Sequence, residues 1–279
     1  MSAAVASFTG IDTSAKWLAL AGVAVLQIVF ARYLVQFVLT TTYALTREGL
    51  GSLRSAAPAL QVARSLSLLG ATAFNFLALQ HLPLTLTITI FFAQPMVISL
   101  LAIPILGERI GPRRFAAIGV AFGGVLIVVQ PWGASFHPAI FYSLLALVSG
   151  SMYFVLTRKM AGIERNLTAQ VWTSAIATFA IAPFAFTVWV TPSEPLVWVV
   201  LGVIGLFGTV GHLFATSALR FADASTLAPV VYEQLLYATI ASWVIFGTWP
   251  TIWTAVGGAI IMASGLYIWR REAQLARRR

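Results

Sequence analysis

Long apolar runs separated by short polar stretches make up most of this chain. The run at Leu84–Leu106 has 23 residues and no charge. Crossing the ~30 Å hydrocarbon layer of a bilayer as a helix takes about 20 apolar residues. The run also lacks the polar face that a helix in a soluble protein normally shows. It therefore predicts a membrane-spanning helix.

Ten runs of this kind follow one another along the chain. Turn-forming residues such as Pro83, Pro112, Pro192 and Pro250 lie in the short loops between them. The predicted segments are approximately 3–20, 23–45, 59–79, 84–106, 115–129, 139–156, 167–190, 196–219, 225–246 and 252–269. The predicted fold class is thus an all-α polytopic membrane protein with ten transmembrane helices.

The run at Leu84–Leu106 recurs later in the chain. A shift of 140 positions aligns Ala78, Leu79, Gln94, Ile105 and Gly107 with Ala218, Leu219, Gln234, Ile245 and Gly247. The chain is predicted to contain two related halves, 1–132 and 137–270, followed by a basic tail at 271–279. Because each half has an odd number of helices, the second half would cross the membrane inverted. Inverted repeats build a central site between two halves that can rock.

The composition agrees with a membrane protein and indicates its orientation. Hydrophobic residues make up 59% and charged residues 9%, against the ~25% charged residues of an ordinary soluble domain. The continuous runs favour helices over the alternating pattern of a barrel. The net charge of +9 is not taken as a sign of nucleic-acid binding, because the basic residues orient the helices.

All basic residues except Lys16 and Arg32 fall on one predicted side. The positive-inside rule makes that side, which contains both termini, cytoplasmic. We therefore expect an inner-membrane protein, compatible with a monomer. The chain has no cysteine, so it has neither disulfides nor a cysteine-ligated metal.

Four ionisable residues stand out within the predicted helices. Charges at membrane depth cost about 2.5–3.5 kcal/mol on insertion scales and are usually paired or functional. Asp12 and Lys16 lie one turn apart on one face, where they either neutralise each other or line a cavity. Arg32 is expected to extend its side chain to the outer interface. Glu233, near mid-membrane, is either a site for a substrate amine or a proton, or a buried structural carboxyl.

Other residues are candidates for lining a cavity. His212 ends a series of glycines with a spacing of three, which suits close helix packing. Asn75 and Gln94 either line the cavity or bond neighbouring helices. Five aromatic residues could face apolar or aromatic substrates: Trp17, Tyr153, Trp172, Tyr232 and Tyr237. Pro95 should kink the fourth helix, and Pro229 lies one turn before Glu233, so both are predicted hinges.

Enzyme signatures are absent from the sequence. It contains no G-x-S-x-G, no H-E-x-x-H and no P-loop, and no cofactor or metal is predicted. The alternatives to a transporter are a membrane enzyme acting on lipid or peptide and a structural subunit of a larger membrane complex. The inverted repeat favours the transporter.

Several segments resemble the drug/metabolite transporter superfamily with paired EamA domains. They are F-x-x-I-D-x-x-x-K-W at Phe8–Trp17, Q-I-V-F-A-R at Gln27–Arg32, A-L-x-x-L-P-L at Ala78–Leu84 and L-G-E-R-I-G-P-R-R-F at Leu106–Phe115. The equivalent turn in the second half, Gly247–Pro250, lacks the Glu-Arg pair. The chain looks most like the bacterial YddG-type exporters within this superfamily.

That resemblance implies export of aromatic and other neutral amino acids and related metabolites by alternating access. It also implies a cavity bounded by helices 1, 3, 4, 6, 8 and 9, which contain Asp12, Asn75, Gln94, His212, Tyr232 and Glu233. Whether transport is facilitative or proton-coupled stays open, as does export of another metabolite or a drug. The expected partners are a small-molecule substrate and the lipid bilayer.

Overall fold

The computed structural model describes residues 1–108, 110–133, 136–221 and 228–276. Within these ranges the chain forms helices and no β-strand, which confirms the all-α prediction. The helices, numbered here α1 to α11, are Ser2–Leu20, Val25–Glu48, Pro58–Leu79, Leu84–Phe91, Gln94–Leu106, Pro112–Val129, Ile140–Lys159, Asn166–Thr187, Pro195–Phe221, Glu233–Phe246 and Ile252–Ala276. Short 3-10 turns lie at Leu50–Leu53 and Ala228–Tyr232.

In the described part of the chain, eight spans are long and apolar enough to cross a membrane, with α4 and α5 counted as one. The first predicted segment, α1, contains Asp12 and Lys16. The ninth forms only a shorter apolar helix, Val230–Phe246. The chain is therefore a polytopic membrane protein. Helix α11 extends to Ala276, so the predicted basic tail begins as helix, and residues 277–279 lie outside the described ranges.

The fourth predicted segment is broken at its middle. Helix α4 ends at Phe91 and α5 begins at Gln94, with Pro95 in the first turn of α5. Proline has no N–H to donate to the carbonyl four residues earlier, and its ring clashes with that carbonyl. That carbonyl belongs to Phe91, which explains why α4 ends there.

The second half repeats this break at the equivalent position. The turn Ala228–Tyr232, which contains Pro229, precedes α10, and α10 begins at Glu233. Gly107 and Gly247 end α5 and α10 in the left-handed conformation, with φ of 71° and 63°. Both ends show the Schellman pattern of hydrogen bonds, which glycine favours. A shift of 140 residues therefore superposes local structure as well as sequence.

Helix packing follows the same two-fold relation. The contact of α3 with α7 matches that of α9 with α1, and α2 with α9 matches α8 with α3. Helices α5 and α7 pair as α10 and α1 do, while α2 with α8 and α6 with α11 are their own equivalents. The two halves are inverted repeats whose helices pack onto each other.

Glycines allow the closest helix approaches. A Cβ on Gly124 of α6 would lie 2.9 Å from the carbonyl oxygen of Gly257 on α11. On α9, Gly205 packs against Val35 of α2, and a Cβ on Gly211 would lie 2.9 Å from the Phe8 ring of α1. Small residues at these positions bring helix backbones together. The glycine series of α9 thus brings this helix against both α1 and α2.

The loops 49–57, 107–111 and 160–165 lie at one end of the bundle, here called the basic end. Two ion pairs join the halves there, Arg158 to Glu108 at 2.6 Å and Arg165 to Glu48 at 3.0 Å. Glu108 belongs to the L-G-E-R turn, whose Arg109 lies outside the described residues. This turn therefore contributes to the contact between the halves.

A carboxylate at the basic end accepts several hydrogen bonds from the start of α3. Glu164 accepts from the Ser55 hydroxyl at 2.9 Å, from the backbone N–H groups of Ala56 and Ala57, and from the Gln61 amide at 3.3 Å. Burial raises the pKa of this carboxyl, but the hydrogen bonds outweigh burial and hold the pKa below its ordinary value. An anion at a helix N-terminus is also favoured by the helix dipole.

Candidate substrate site

Asp12 and Asn75 meet in the interior, where α1 packs near α3. The Asn75 amide donates to Oδ1 of Asp12 at 2.8 Å, and Asp12 keeps some accessible surface. A carboxylate away from water needs such a donor to offset the cost of burial. The structure thus brings together two of the residues that the sequence predicted for the cavity.

Arg32 lies beside this pair and does not extend to the interface. Its side chain is 4% exposed because α2 is covered by α8 and α9, so the expectation of an interfacial arginine is wrong. Its Nη1 donates to the Thr72 hydroxyl at 3.5 Å, and its guanidinium lies 4.4 Å from the centroid of the Tyr33 ring. The Tyr33 hydroxyl bonds the same Thr72 hydroxyl at 2.8 Å.

Arg32 of α2 and Asp12 of α1 both bond side chains on a single face of α3. Thr72, which bonds Arg32, and Asn75, which bonds Asp12, are three residues apart and hence neighbours on the helix surface. Arg32 interacts electrostatically with the Asp12 carboxylate. The ion pairs in the described part of the chain lie elsewhere, at the basic end. Asp12 and Arg32 are therefore close but not in direct contact.

Gln36 completes this cluster and was missed from the sequence. Its side chain is fully buried, yet neither of its amide atoms has a hydrogen-bond partner, and the same holds for Nε of Arg32. Gly208 of α9 lies opposite, where a Cβ would be 3.4 Å from Oε1 of Gln36 and 3.8 Å from Nε of Arg32. The sequence signal that could have identified Gln36 is its spacing of four residues from Arg32, because this spacing puts both residues on one helix face.

His212 lines a small cavity beyond Gln36. The cavity lies between α2, α8 and α9, and its polar lining residues include Gln36, Thr40 and Thr209. The His212 ring packs edge to face on Phe8, with centroids 5.4 Å apart. His212 is thus brought to the same region of α9 as Gly208.

Lys16 has partners other than Asp12. Its ammonium donates to the carbonyl oxygens of Leu79 at 3.2 Å and Leu82 at 2.6 Å, and lies 5.5 Å from the centroid of the Phe246 ring. The last carbonyls of a helix lack intrahelical partners and carry the negative end of its dipole. Lys16 therefore caps α3, while the neighbouring Trp17 packs partly buried against the apolar core.

Glu233 is the first residue of α10. Its Oε2 accepts from the Tyr237 hydroxyl at 3.1 Å, so two predicted site residues meet one turn apart. Tyr232 packs its ring edge to face on Phe92, and its hydroxyl reaches the backbone of Gly265 on α11. These residues surround the break in the ninth segment.

The other predicted cavity residues contact neighbouring helices or loops. The Gln94 amide packs against α7, where a Cβ on Gly150 would lie 2.7 Å from it. Tyr153 lies under the buried guanidinium of Arg64, 5.0 Å from its ring centroid. The indole N–H of Trp172 donates to the carbonyl of Leu53 at 2.9 Å, in the loop before α3. Membership of a substrate cavity stays a prediction for all eleven residues.

Comparisons with known proteins agree with this architecture. A model described as the EamA-like transporter family matches residues 1–130 and 137–270. The riboflavin transporter of Brucella anthropi is 27% identical over 291 residues, covering 99% of each chain. The S-adenosylmethionine uptake transporter of Rickettsia prowazekii is 31% identical over 222 residues, 79% of this chain and 74% of its own.

A more distant relative is the pseudopaline exporter of Pseudomonas aeruginosa, 25% identical over 198 residues, 71% of this chain and 70% of its own. A solved structure shares the fold with a TM-score of 0.65 at 19% identity, covering 96% of this chain and 98% of that one. The superfamily resemblance of the sequence is thereby confirmed. With two matched repeats spanning nearly its whole length, the chain belongs to the EamA-like transporter family of membrane proteins.

Proposed function

We propose that this protein exports aromatic and neutral amino acids and related small metabolites across the inner membrane, as YddG-type exporters do. The observation that carries the proposal is the cluster of Asp12, Asn75 and Arg32 in the interior of a largely apolar bundle. A carboxylate and a guanidinium held apart at membrane depth are costly unless they serve a polar ligand. An amino acid, with one positive and one negative group, suits such a cluster.

Alternating access follows from the two-fold arrangement. Helices of one repeat pack on the other, so rocking of one repeat exposes the interior first to one side and then to the other. The matched breaks before Gln94 and Glu233 are points where the fourth and ninth predicted segments bend without losing further hydrogen bonds. Both termini lie on the cytoplasmic side in this proposal, because the positive-inside rule places the loops of the basic end in the cytoplasm.

The names of the relatives support transport of a small metabolite, which is inward for one relative and outward for another. S-adenosylmethionine contains the α-amino acid group of methionine, whereas riboflavin has no such group. The named relatives are a riboflavin transporter, an S-adenosylmethionine uptake transporter and a pseudopaline exporter. The second candidate function is therefore movement of an amino-acid-containing metabolite inward, favoured by the 31% identity to the uptake transporter.

The test uses purified protein in liposomes loaded with unlabelled substrate. Entry of labelled phenylalanine, threonine, glutamate, S-adenosylmethionine and riboflavin is followed without an ion gradient, against protein-free liposomes. We expect counterflow of phenylalanine or threonine. Movement of riboflavin alone would overturn the amino-acid proposal, and movement of S-adenosylmethionine alone would favour the second candidate.

Coupling to protons is tested in the same liposomes with an imposed pH gradient. Accumulation only with the gradient would make a carboxyl group the coupling site. Glu233→Gln then tests the carboxyl outside the Asp12 cluster, because loss of accumulation with counterflow retained would make Glu233 the coupling site. Accumulation by Glu233→Gln at the wild-type rate would exclude Glu233.

A further inference from the structure

Arg32 and Gln36 carry an inference that deepens the proposed function and rests on it. We infer that these two residues of α2 bind the carboxylate of the substrate, while Asp12 binds its amino group. The protein would thus recognise the zwitterionic head common to α-amino acids.

Unused donors on Arg32 are the first argument. Its Nε is buried without a partner, and its one hydrogen bond, to Thr72, is long at 3.5 Å. Buried polar groups in native proteins are nearly always paired, so each exception needs an explanation. The guanidinium fork matches the two oxygens of a carboxylate, which makes a substrate carboxylate the natural partner.

The second argument is Gln36, one turn further along the same face of α2. Its amide nitrogen and oxygen are both buried and unpaired, and an unmade hydrogen bond of this kind costs about 1–3 kcal/mol. Gly208 faces it across the contact with α9, where a Cβ would lie 3.4 Å from Oε1 of Gln36 and 3.8 Å from Nε of Arg32. A bound carboxylate would accept a hydrogen bond from the Gln36 amide nitrogen and remove the part of this cost that belongs to the nitrogen.

The third argument is the position of Asp12. Asp12 and Arg32 bond neighbouring residues on one face of α3, Asn75 and Thr72 respectively. The two charged groups do not form an ion pair with each other. Asn75 occupies only Oδ1 of the carboxylate. A ligand with a single charge would leave either Asp12 or Arg32 uncompensated in the interior, whereas a zwitterion compensates both.

Three compounds of the same shape test this site on the wild-type protein. L-phenylalanine has both charges, L-phenylalaninamide lacks the carboxylate, and 3-phenylpropionate lacks the amine. Each is used to inhibit counterflow of labelled phenylalanine in liposomes. We expect each single-charge analogue to need about a tenfold to hundredfold higher concentration than phenylalanine for half inhibition.

Variants then assign each charge to its residue. Arg32→Gln should raise the half-inhibitory concentration of phenylalanine about tenfold but leave that of phenylalaninamide nearly unchanged. Asp12→Asn should likewise raise the half-inhibitory concentration of phenylalanine but leave that of 3-phenylpropionate, which has no amine, nearly unchanged. Gln36→Met should weaken phenylalanine binding and raise the melting temperature of the ligand-free protein, because it removes two unpaired polar atoms without leaving a cavity.

Arg64→Gln is the matched control. Arg64 is also a buried arginine, but its guanidinium donates to the Ala169 carbonyl and the Thr173 hydroxyl, both at 2.6 Å. Its loss should lower the melting temperature and leave the ratio between phenylalanine and phenylalaninamide unchanged. Arg32→Lys keeps the charge and provides a second variant if Arg32→Gln does not fold.

The outcomes separate the two proposals. Counterflow of phenylalanine by the wild-type protein, with equal inhibition by all three compounds, would overturn the zwitterion site and leave the transport proposal intact. Counterflow of none of the amino acids would overturn both. A fall in the melting temperature of Gln36→Met without any change in phenylalanine inhibition would assign Gln36 a structural role and contradict the inference.

Discussion

The ring of Phe92 packs edge to face on the ring of Tyr232, with centroids 5.2 Å apart. The two residues are 140 positions apart, so each is the equivalent of the other in the two repeats. A contact between equivalent residues lies on the two-fold relation itself. This aromatic pair thus joins the two halves at the point where their fourth and ninth segments both break.

A double-mutant cycle should detect this contact. Aromatic pairs contribute about 0.5–1.5 kcal/mol beyond their burial. We therefore expect Phe92→Ala and Tyr232→Ala to couple by that amount in the free energy of unfolding, measured by denaturant titration in detergent. Phe179→Ala, on a ring that packs against Phe37 instead, should be additive with Phe92→Ala. Additivity of the Phe92 and Tyr232 variants would contradict a direct contact in the folded protein.

Glu164 should make the stability of the protein depend on pH. Its pKa is lowered on folding, so its contribution is fully present above the ordinary glutamate pKa of about 4.3 and is lost as the pH falls through the folded value. Glu164→Gln should lower the melting temperature at pH 7, and this effect should shrink as the pH falls below the ordinary glutamate pKa.

Ser55→Ala removes one donor to this carboxylate and should cause a smaller loss over the same pH range. The measurement is the melting temperature of wild type and both variants between pH 7 and pH 3. An equal difference between wild type and Glu164→Gln at every pH would show that the hydrogen bonds do not depend on the charge of Glu164.

Lys16→Met should destabilise the protein because it removes the cap on α3. Hydrogen bonds from a charged group contribute about 1.5–3 kcal/mol, and Lys16 makes two with the carbonyls of Leu79 and Leu82. Combining it with Asp12→Asn should give additive losses of stability, because these two residues are not ion-paired. Rescue of Lys16→Met by Asp12→Asn would instead indicate a pair that forms in another state of the transport cycle.

Pro95→Ala should slow transport. Alanine at this position supplies the N–H that the Phe91 carbonyl lacks, which favours one continuous helix over Leu84–Leu106 and resists bending. We expect a several-fold lower rate of counterflow with unchanged half-saturation. Pro104→Ala, inside α5 and away from the break, is the control and should leave the rate unchanged. An unaffected Pro95→Ala rate would make the break a feature of packing only.

Short-range sequence patterns were sufficient for much of the architecture. Apolar length indicated the spans, Pro95 indicated the break, and the alignment of Gly107 with Gly247 indicated a repeat whose helix ends are now seen to match. Asn75 and Asp12 were each singled out as polar residues in apolar helices. Their hydrogen bond was not predictable, because it joins residues 63 positions apart.

The partners of the charged residues depended on tertiary packing. Lys16 lies one turn from Asp12, yet it bonds carbonyls at the end of α3, while Asn75 bonds the Asp12 carboxylate. Arg32 lies close enough to a helix end to reach the interface, but α8 and α9 cover that route.

The sequence by itself determined that this protein lies in a membrane, where its helices are, and that it consists of two halves. Those properties depend on the local free energy of apolar residues in lipid and on backbone chemistry at proline and glycine. Only the tertiary structure decided that Arg32 and Gln36 meet Gly208, and that Arg32 and Asp12 bond neighbouring residues of α3. Their proximity depends on how α1, α2, α3 and α9 pack, and periodicity along one helix does not specify which neighbouring helix each face meets.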